Sequence, residues 1–354
     1  MPRSAAYDWY KGQVQGHAVT LVLKIDHVPE HTAAGEKPLL ALRDPAVEFG
    51  FCFATQYVGH DSHGVIQIPT YIDRIQRGHI KPGAEIEVNN ESRTTARING
   101  NWGFGYYVSD FAMKLAIKKA RQDNIAAITV VQQSHVGRVA SYPLMAAKEG
   151  MIAIMTADSG RGPKMVVPFG GKERKLGTNP ICIAFPSNLE GTMFVDMATS
   201  SVAAGKINLA RSRGKDIPFG WILDKDGNQT NDPNDFSQGG AILPLGADQG
   251  HKGYGLSAAV ETFSGILTGL GFGVSKDGIH NDGCLMIVMN VEAFRDLEVF
   301  KQEVTDFALD LSSTEVASGY DRVYYPGEID HITKQDRIHN GLYVEDTTVE
   351  NIIK

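Results

Sequence analysis

The sequence predicts an α/β fold, and three observations carry that reading. AAITVV (126–131), MIAIMTA (151–157) and CLMIVMN (284–290) are short apolar runs of the length and composition of buried strands. VSDFAMKLAIKKARQDN (108–124), SYPLMAAKEG (141–150) and AFRDLEVFKQEVTDFALDL (293–311) show helical periodicity. The two kinds of segment alternate, which is the rhythm of helices packed on a sheet.

In chain order, residues 1–44 are the hardest to read; AVTLVLKIDHV is compatible with a strand, and the Pro- and Gly-punctuated stretch after it reads as loop. Residues 44–65, DPAVEFGFCFATQYVGHDSHGV, read as an apolar helix running into a Gly-His-Asp turn. IPTYIDRIQRGHI follows with Ile68, Tyr71, Ile72 and Ile75 on a helical stripe. KPGAEIEVNNESRTTARINGN alternates between Asn and Gly breaks, so strands are expected there. Ser109 or Asp110 is the expected cap of the next helix. The region VVPFGGKERKLGTNPICIAFPSN…MFVDMATSSVAAGKI reads as short strands separated by Gly- and Pro-rich turns. RSRGKDIPFGWILDKDGNQTNDP is a polar excursion with a DKDG turn. LGADQGHKGYGLSAAVETF reads as a loop entering a helix near Gly255, and the tail from Tyr324 as a turn and two short helices.

The 354 residues suffice for about two domains. A net charge of −7 without a basic block argues against nucleic acid or a membrane surface as partner. No apolar stretch has the length of a membrane span, and the start lacks a signal-peptide core, so a cytoplasmic protein is expected. Cys52, Cys182 and Cys284 are odd in number and widely spaced, which fits buried, reduced thiols.

The search for chemistry begins with a dinucleotide fingerprint. Gly103-Phe104-Gly105 fails at the third glycine and is expected to lack a preceding buried strand; Gly269, Gly271 and Gly273 follow a helix. Neither meets the strand–turn–helix condition, so a conventional Rossmann unit is not expected. His60 and His63 are spaced H-x-x-H, but no further ligand framework for zinc accompanies them. Proton transfer suits histidine better, because its pKa lies near neutrality. His63 and His135 stand out among eleven histidines: each follows a serine (Ser62, Ser134) and has a glycine close behind (Gly64, Gly137). In GTNP, Pro180 is expected to hold Asn179 extended and so fix its side chain and the Thr178 hydroxyl. His251-Lys252, between glycines, offers a cation on an exposed loop for a phosphate or carboxylate, although most surface lysines are merely solvated. The residues alone support an α/β enzyme with an anionic ligand.

GHDSHGV, SHVGR, VVPFGGKERKLGTNP, VDMATS and GHKGYGL, in that order, closely resemble the malate/L-lactate dehydrogenase family over about residues 45 to 345. That family also holds ureidoglycolate, sulfolactate and diketogulonate oxidoreductases and Δ1-piperideine-2-carboxylate reductase. The resemblance implies a non-Rossmann, mixed-sheet cofactor domain at 96–319. It implies a helical substrate and dimerisation domain built from both chain ends, 1–95 with 320–354. It further implies NAD or NADP as cofactor, a homodimer, and interconversion of a 2-hydroxy and a 2-oxo acid. Alternatives are reduction of a cyclic C=N bond or an inactive ligand-binding homologue.

By the same resemblance His63 and His135 both match histidines given the acid/base role, and both stand as candidates. Ser159, Asp196-Met197-Ala198, Lys252 with its neighbour His251, and Gly327-Glu328-Ile329 match the nicotinamide-cofactor contacts; Thr178 and Asn179 lie in the nearby GTNP motif. Two departures are visible. Gln67 stands where many members carry an arginine that grips the substrate carboxylate, and an amide cannot form that bidentate pair. A branch acting on bulkier 2-oxo acids shares this absence. Ser62 and Gln67 remain the expected substrate contacts, with Arg138 as the replacement carboxylate ligand. The second departure is that residues 1–44 lack the family's leading amphipathic helices.

Overall fold

Strands β3 (Glu87–Asn89), β4 (Thr95–Gly103), β5 (Ile125–Gln133), β6 (Met151–Asp158), β7 (Ile181–Ala184), β8 (Phe194–Met197) and β12 (Gly283–Asn290) form one mixed sheet in the computed structural model. The described residues are 11–14 and 17–20 (backbone only), 52, 54–158, 160–275, 278–342, 344 and 348. The first two stretches form an antiparallel pair, β1 (Lys11–Val14) and β2 (His17–Thr20), which overlaps the expected N-terminal strand. Ser159 and most of residues 1–44 lie outside the described residues.

The order of the large sheet is β3-β4-β5-β12-β6-β7-β8. β4 and β5 are parallel, while β12 runs antiparallel to both β5 and β6. β4, β5 and β6 therefore point the same way. Their C-terminal ends and the start of β12 share one edge of the sheet, the place where open α/β sheets collect functional loops.

α1 (Ile68–Gln76), α2 (Gly105–Asp123) and α3 (Pro143–Lys148) flank these strands in sequence. α2 turns Ala112, Met113, Ala116 and Ala120 into the sheet, where they meet Ile98, Ile128, Val130 and Met286. Small residues on the helix let its axis approach closely, so little space remains for change. α2 begins at Gly105 and is preceded by Phe104, so Ser109 and Asp110 lie inside the helix and do not cap it. Ser109 instead donates to Gln133 Oε1 (2.9 Å). Gly103 closes β4, so the Gly103–Gly105 turn does follow a buried strand, contrary to expectation. The third glycine position is Val108, buried in the core.

The opposite face of the sheet receives the helical turn Thr262–Ile266, a π-helix continuing α6 (Gly250–Glu261); α4 (Ala204–Ser212) and α5 (Pro233–Ser237) pack instead with the cluster of Ile222 and Ile242. Thr156 Oγ1 and Ser264 Oγ are 2.8 Å apart. At Gly283 a Cβ would sit 2.0 Å from the Ser264 carbonyl oxygen, so only glycine admits this contact. α6 starts at Gly250, which places His251 and Lys252 in its first turn and not on a loop. α4 is a helix where strands and turns were expected.

A smaller sheet, β10-β9-β11, joins β9 (Ile222–Leu223), β10 (Gln229–Thr230) and β11 (Ala241–Ile242) around Val166, Ile207, Ile222 and Ile242. The DKDG turn is closed by the Asp224 carboxylate, which accepts from the amides of Asp226 and Asn228 (both 2.9 Å).

α7 (Leu297–Ser312) is capped by Asp296, whose carboxylate accepts from Val299 N. α8 (Glu328–Asn340) is the first of the two expected C-terminal helices, and most residues of the second lie outside the described set. α8 packs on the early chain, where Arg337 donates to Gln56 O and to Asp61, and Asp330 meets His60. Residues far apart in sequence thus meet beside His63.

Candidate active site

His135 follows β5 at the shared edge, and two glycines shape its turn. Ser134 N donates to Gly103 O (3.0 Å), tying the turn to the end of β4. A Cβ on Gly105 would lie 2.3 Å from both the Ser134 and His135 carbonyl oxygens, so the start of α2 presses directly on this backbone. Gly137 has φ +68° and a Cβ there would overlap the Tyr106 ring. The Tyr106 hydroxyl in turn donates to His63 O (3.0 Å). One buried tyrosine therefore joins the two histidine turns.

The His63 and His135 rings stack, 5.3 Å between centroids and 23° apart in plane. His63 Nδ1 is 2.9 Å from Ser62 Oγ, and His135 Nδ1 is 2.8 Å from the Tyr71 hydroxyl on α1. No hydrogen bond from a described residue engages Nε2 of either ring. Burial removes solvation from both imidazoles and lowers their pKa, to about 4 for His63, where His60 adds repulsion, and to about 3 for His135. At neutral pH both are uncharged, the form that accepts a proton. The Asp282 carboxylate works against this depression at both rings. Asp282 is buried; its Oδ2 accepts from Val136 N (2.8 Å) and its Oδ1 lies 3.1 Å from His280 Nε2. The His280 ring is 5.9 Å from His135.

Gln67 Nε2 donates to Ser62 O (2.7 Å), so this amide braces the turn before His63. Arg138 is buried, with Nη2 donating to Asp330 (2.6 Å) and Nε 4.0 Å from Asp196 Oδ2. Its Nε makes no hydrogen bond. Asp196 accepts from Ala140 N (3.0 Å), and burial raises its pKa. His60 Nε2 contacts Asp330 Oδ2 (3.1 Å), so its neighbour is a carboxylate of α8. Gly327, at φ +95°, turns the chain into α8, and a Cβ there would meet Thr192 O and Phe194 at 2.6 Å. Arg138, the Asp196–Ala198 strand end and the Gly327–Ile329 turn thus form one neighbourhood.

A second neighbourhood holds GTNP. Asn179 is buried with φ +41°, so it is not extended as expected from Pro180. Its Nδ2 donates to Ser257 O (3.0 Å) and Glu261 Oε2 (2.9 Å), which overrides the local pre-proline preference. Thr199 Oγ1 donates to Thr178 O (3.1 Å) and Asn179 O (2.9 Å). Glu261 Oε1 and Asp158 Oδ1 share buried Lys164 Nζ, at 3.0 and 2.9 Å. Burial raises Asp158 to about 7 despite the lysine. His251 and Lys252 are exposed in the first turn of α6, the helix that ends at Glu261. This donor set fits a dinucleotide. A helix N-terminus with an exposed lysine suits phosphate, and the buried Asn179 Oδ1 and Ser257 Oγ have no partner.

Tyr71, Tyr106, His280 and Asp282 surround the two histidine turns, and motif reading passes over them. Tyr71 is hidden in an apolar stripe, and Tyr106 in a helix start. His280 and Asp282 carried a visible signal: GIHND stands just before an apolar strand, as SHVG stands just after one.

A mixed α/β sheet thus gathers two imidazoles and a tyrosine hydroxyl near the ends of its parallel strands, groups with the chemistry to exchange a proton with a small ligand. The chain belongs to the malate/L-lactate dehydrogenase family, whose model matches residues 50–353. It is 36% identical over 302 residues to malate dehydrogenase of Pyrococcus horikoshii, covering 83% of each chain. It is 36% identical over 301 residues to L-sulfolactate dehydrogenase of Methanothermobacter thermautotrophicus, covering 83% of this chain and 84% of that one. The crystal structure of malate dehydrogenase from Entamoeba histolytica superposes with a TM-score of 0.83 at 32% identity, covering 88% of this chain and 90% of that one. The family makes the protein an oxidoreductase, and its dehydrogenase relatives imply a nicotinamide cofactor.

Proposed function

We propose that the protein interconverts a 2-hydroxy acid and a 2-oxo acid with NAD or NADP, and that His135 is its acid/base. When bound, the nicotinamide exchanges a hydride with C2 of the substrate. His135 Nε2 takes the hydroxyl proton in oxidation and returns it to the carbonyl oxygen in reduction. The observation that carries this assignment is the setting of the His135 ring. Its Nδ1 is held by Tyr71, and a buried carboxylate, Asp282, stands behind it to compensate the charge of the imidazolium. His63, stacked beside it and oriented by Ser62, hydrogen-bonds the substrate oxygen and fixes its position.

Ser62, Gln67 and Arg138 line the substrate side, and the free Nε–H of Arg138 is a donor for the carboxylate. Thr178, Asn179, Asp196, Met197, Ala198, His251, Lys252, Gly327, Glu328 and Ile329, with Ser159, form the proposed cofactor contacts. We take the working form to be a homodimer, with the exposed apolar Phe263, Ile266, Leu267, Phe272 and Val274 as a candidate contact. Three buried cysteines that form no disulfide fit a reducing cytoplasm.

The test is reduced-nicotinamide absorbance with a panel of 2-oxo acids, with and without amines. Turnover of a 2-oxo acid alone supports the reading. Turnover only when an amine is present would replace it with C=N reduction. Cofactor binding without any turnover would mark an inactive homologue.

A further inference from the structure

The acid/base assignment leaves a physical requirement unmet. With substrate on the Nε2 side of His135 and Tyr71 on Nδ1, bulk water has little access to the ring, yet each turnover moves one proton between it and solvent. We propose that His280, braced by Asp282, carries that proton. The inference rests on the functional reading above.

The geometry is specific. His280 lies 5.9 Å from His135 between ring centroids, and His63 lies 5.3 Å from it. That spacing is bridged by direct contact of ring edges or by one water. The side chain of His280 is 30% exposed and that of Asp282 only 8%, so the pair reaches from the protein interior to solvent. Asp282 is anchored by two hydrogen bonds, its amide donating to Gln133 O (3.1 Å) and its Oδ2 accepting from Val136 N, and its Oδ1 lies 3.1 Å from His280 Nε2. These contacts clamp the start of β12 to the end of β5 on both sides of the His135 turn. Among the described residues, the charged or titratable groups around His135 are His63, Tyr71, Arg74, His280 and Asp282, of which Asp282 is the anion. A proton passing along the two rings is therefore accompanied by a fixed negative charge.

In reduction, the N–H bond of His135 breaks as the substrate O–H bond forms and hydride reaches C2. Once the product has left Nε2, the N–H bond of protonated His280 breaks as the Nε2–H bond of His135 re-forms through one water, and solvent reprotonates His280 at its exposed edge. In oxidation the same bonds form and break in reverse.

The experiment compares the unsubstituted protein with His280→Ala in steady-state reduction of whichever 2-oxo acid it turns over, in a bulky, dilute buffer. The expected result is a fall in kcat of about 10-fold or more, a KM changed by less than about 2-fold, and saturable recovery of kcat on adding imidazole. The unsubstituted protein should ignore imidazole. Full activity of His280→Ala overturns the inference, as does a loss that imidazole leaves unchanged in a variant with an unaltered melting temperature. Absence of turnover by the unsubstituted protein with cofactor bound overturns the functional reading, and the inference with it.

Discussion

The hydroxyl of Tyr71 lies 2.8 Å from Nδ1 of His135, across 64 residues of sequence, and this contact engages the Nδ1 edge of the imidazole and leaves the Nε2 edge to other partners. Tyr71 is buried against Phe104 and Tyr106 by edge-on ring contacts, so its hydroxyl has little freedom to move. Tyr71→Phe keeps the ring and removes the hydrogen bond. It should lower kcat by about 10- to 100-fold while costing only about 1 kcal/mol of stability. Parallel kinetics and denaturant melts check both halves of this expectation.

The two depressed histidines make folding sensitive to acid. In the unfolded chain a histidine binds its proton near 6.5; in the fold His135 does so only near 3 and His63 only near 4. Below 6.5 the unfolded state therefore holds more protons, and stability falls as pH drops toward 4, by at most about 1.4 kcal/mol per unit for each ring. Above 6.5 these two groups contribute no slope. Urea unfolding at a series of pH values should show this limb, and the double variant His63→Asn with His135→Asn should flatten it.

Asp282 opposes the depression of His135, so removing its charge has a signed consequence. Asp282→Asn should move the acid limb of the pH–rate profile for oxidation to lower pH, because His135 then stays neutral further into acid. A limb unmoved in the variant would separate Asp282 from the reacting imidazole.

Gly105 has no room for a side chain, since a Cβ would lie 2.3 Å from two carbonyl oxygens of the His135 turn. Gly105→Ala should cost about 1–3 kcal/mol and displace that turn, so activity should fall further than the melting temperature alone implies. Ala at Gly255, where a Cβ meets nothing within 4 Å, is the matched control.

Lys164 is buried between Asp158 and Glu261. Lys164→Met leaves two carboxylates facing each other without their cation, and should destabilise the fold by about 3–5 kcal/mol. Because burial already holds Asp158 near 7, acidification to about pH 5 should partly rescue the variant relative to pH 8. Thermal melts at the two pH values read this out.

The strands of the large sheet were legible where sequence pattern agreed with burial: Ile128 and Met155 lie buried in short apolar runs, and Ile98 in an alternating stretch. The turns were less legible. Asn179 takes a positive φ because Glu261, 82 residues on, holds its side chain, and no local pattern encodes that. His251 and Lys252 sit among glycines that look like a loop, yet packing draws Gly250 and Gly253 into a helix. The histidine pair could be chosen from its motifs, but the stack itself depends on Tyr106, Gly105 and Gly137, which read separately as a helix residue and two turn glycines. Tyr71 and Asp282 reach His135 only through tertiary contact.

The central claim is that His135 moves the proton and His63 positions the oxygen. The most direct measurement is single-turnover reduction of a 2-oxo acid by enzyme preloaded with reduced cofactor, in His135→Asn and His63→Asn, with cofactor affinity measured alongside. The account expects His135→Asn to slow this step by about 10²-fold or more at unchanged cofactor affinity and to abolish its pH dependence, while His63→Asn keeps the pH dependence at a reduced rate. A near-normal rate in His135→Asn, with the pH dependence lost only in His63→Asn, would contradict it.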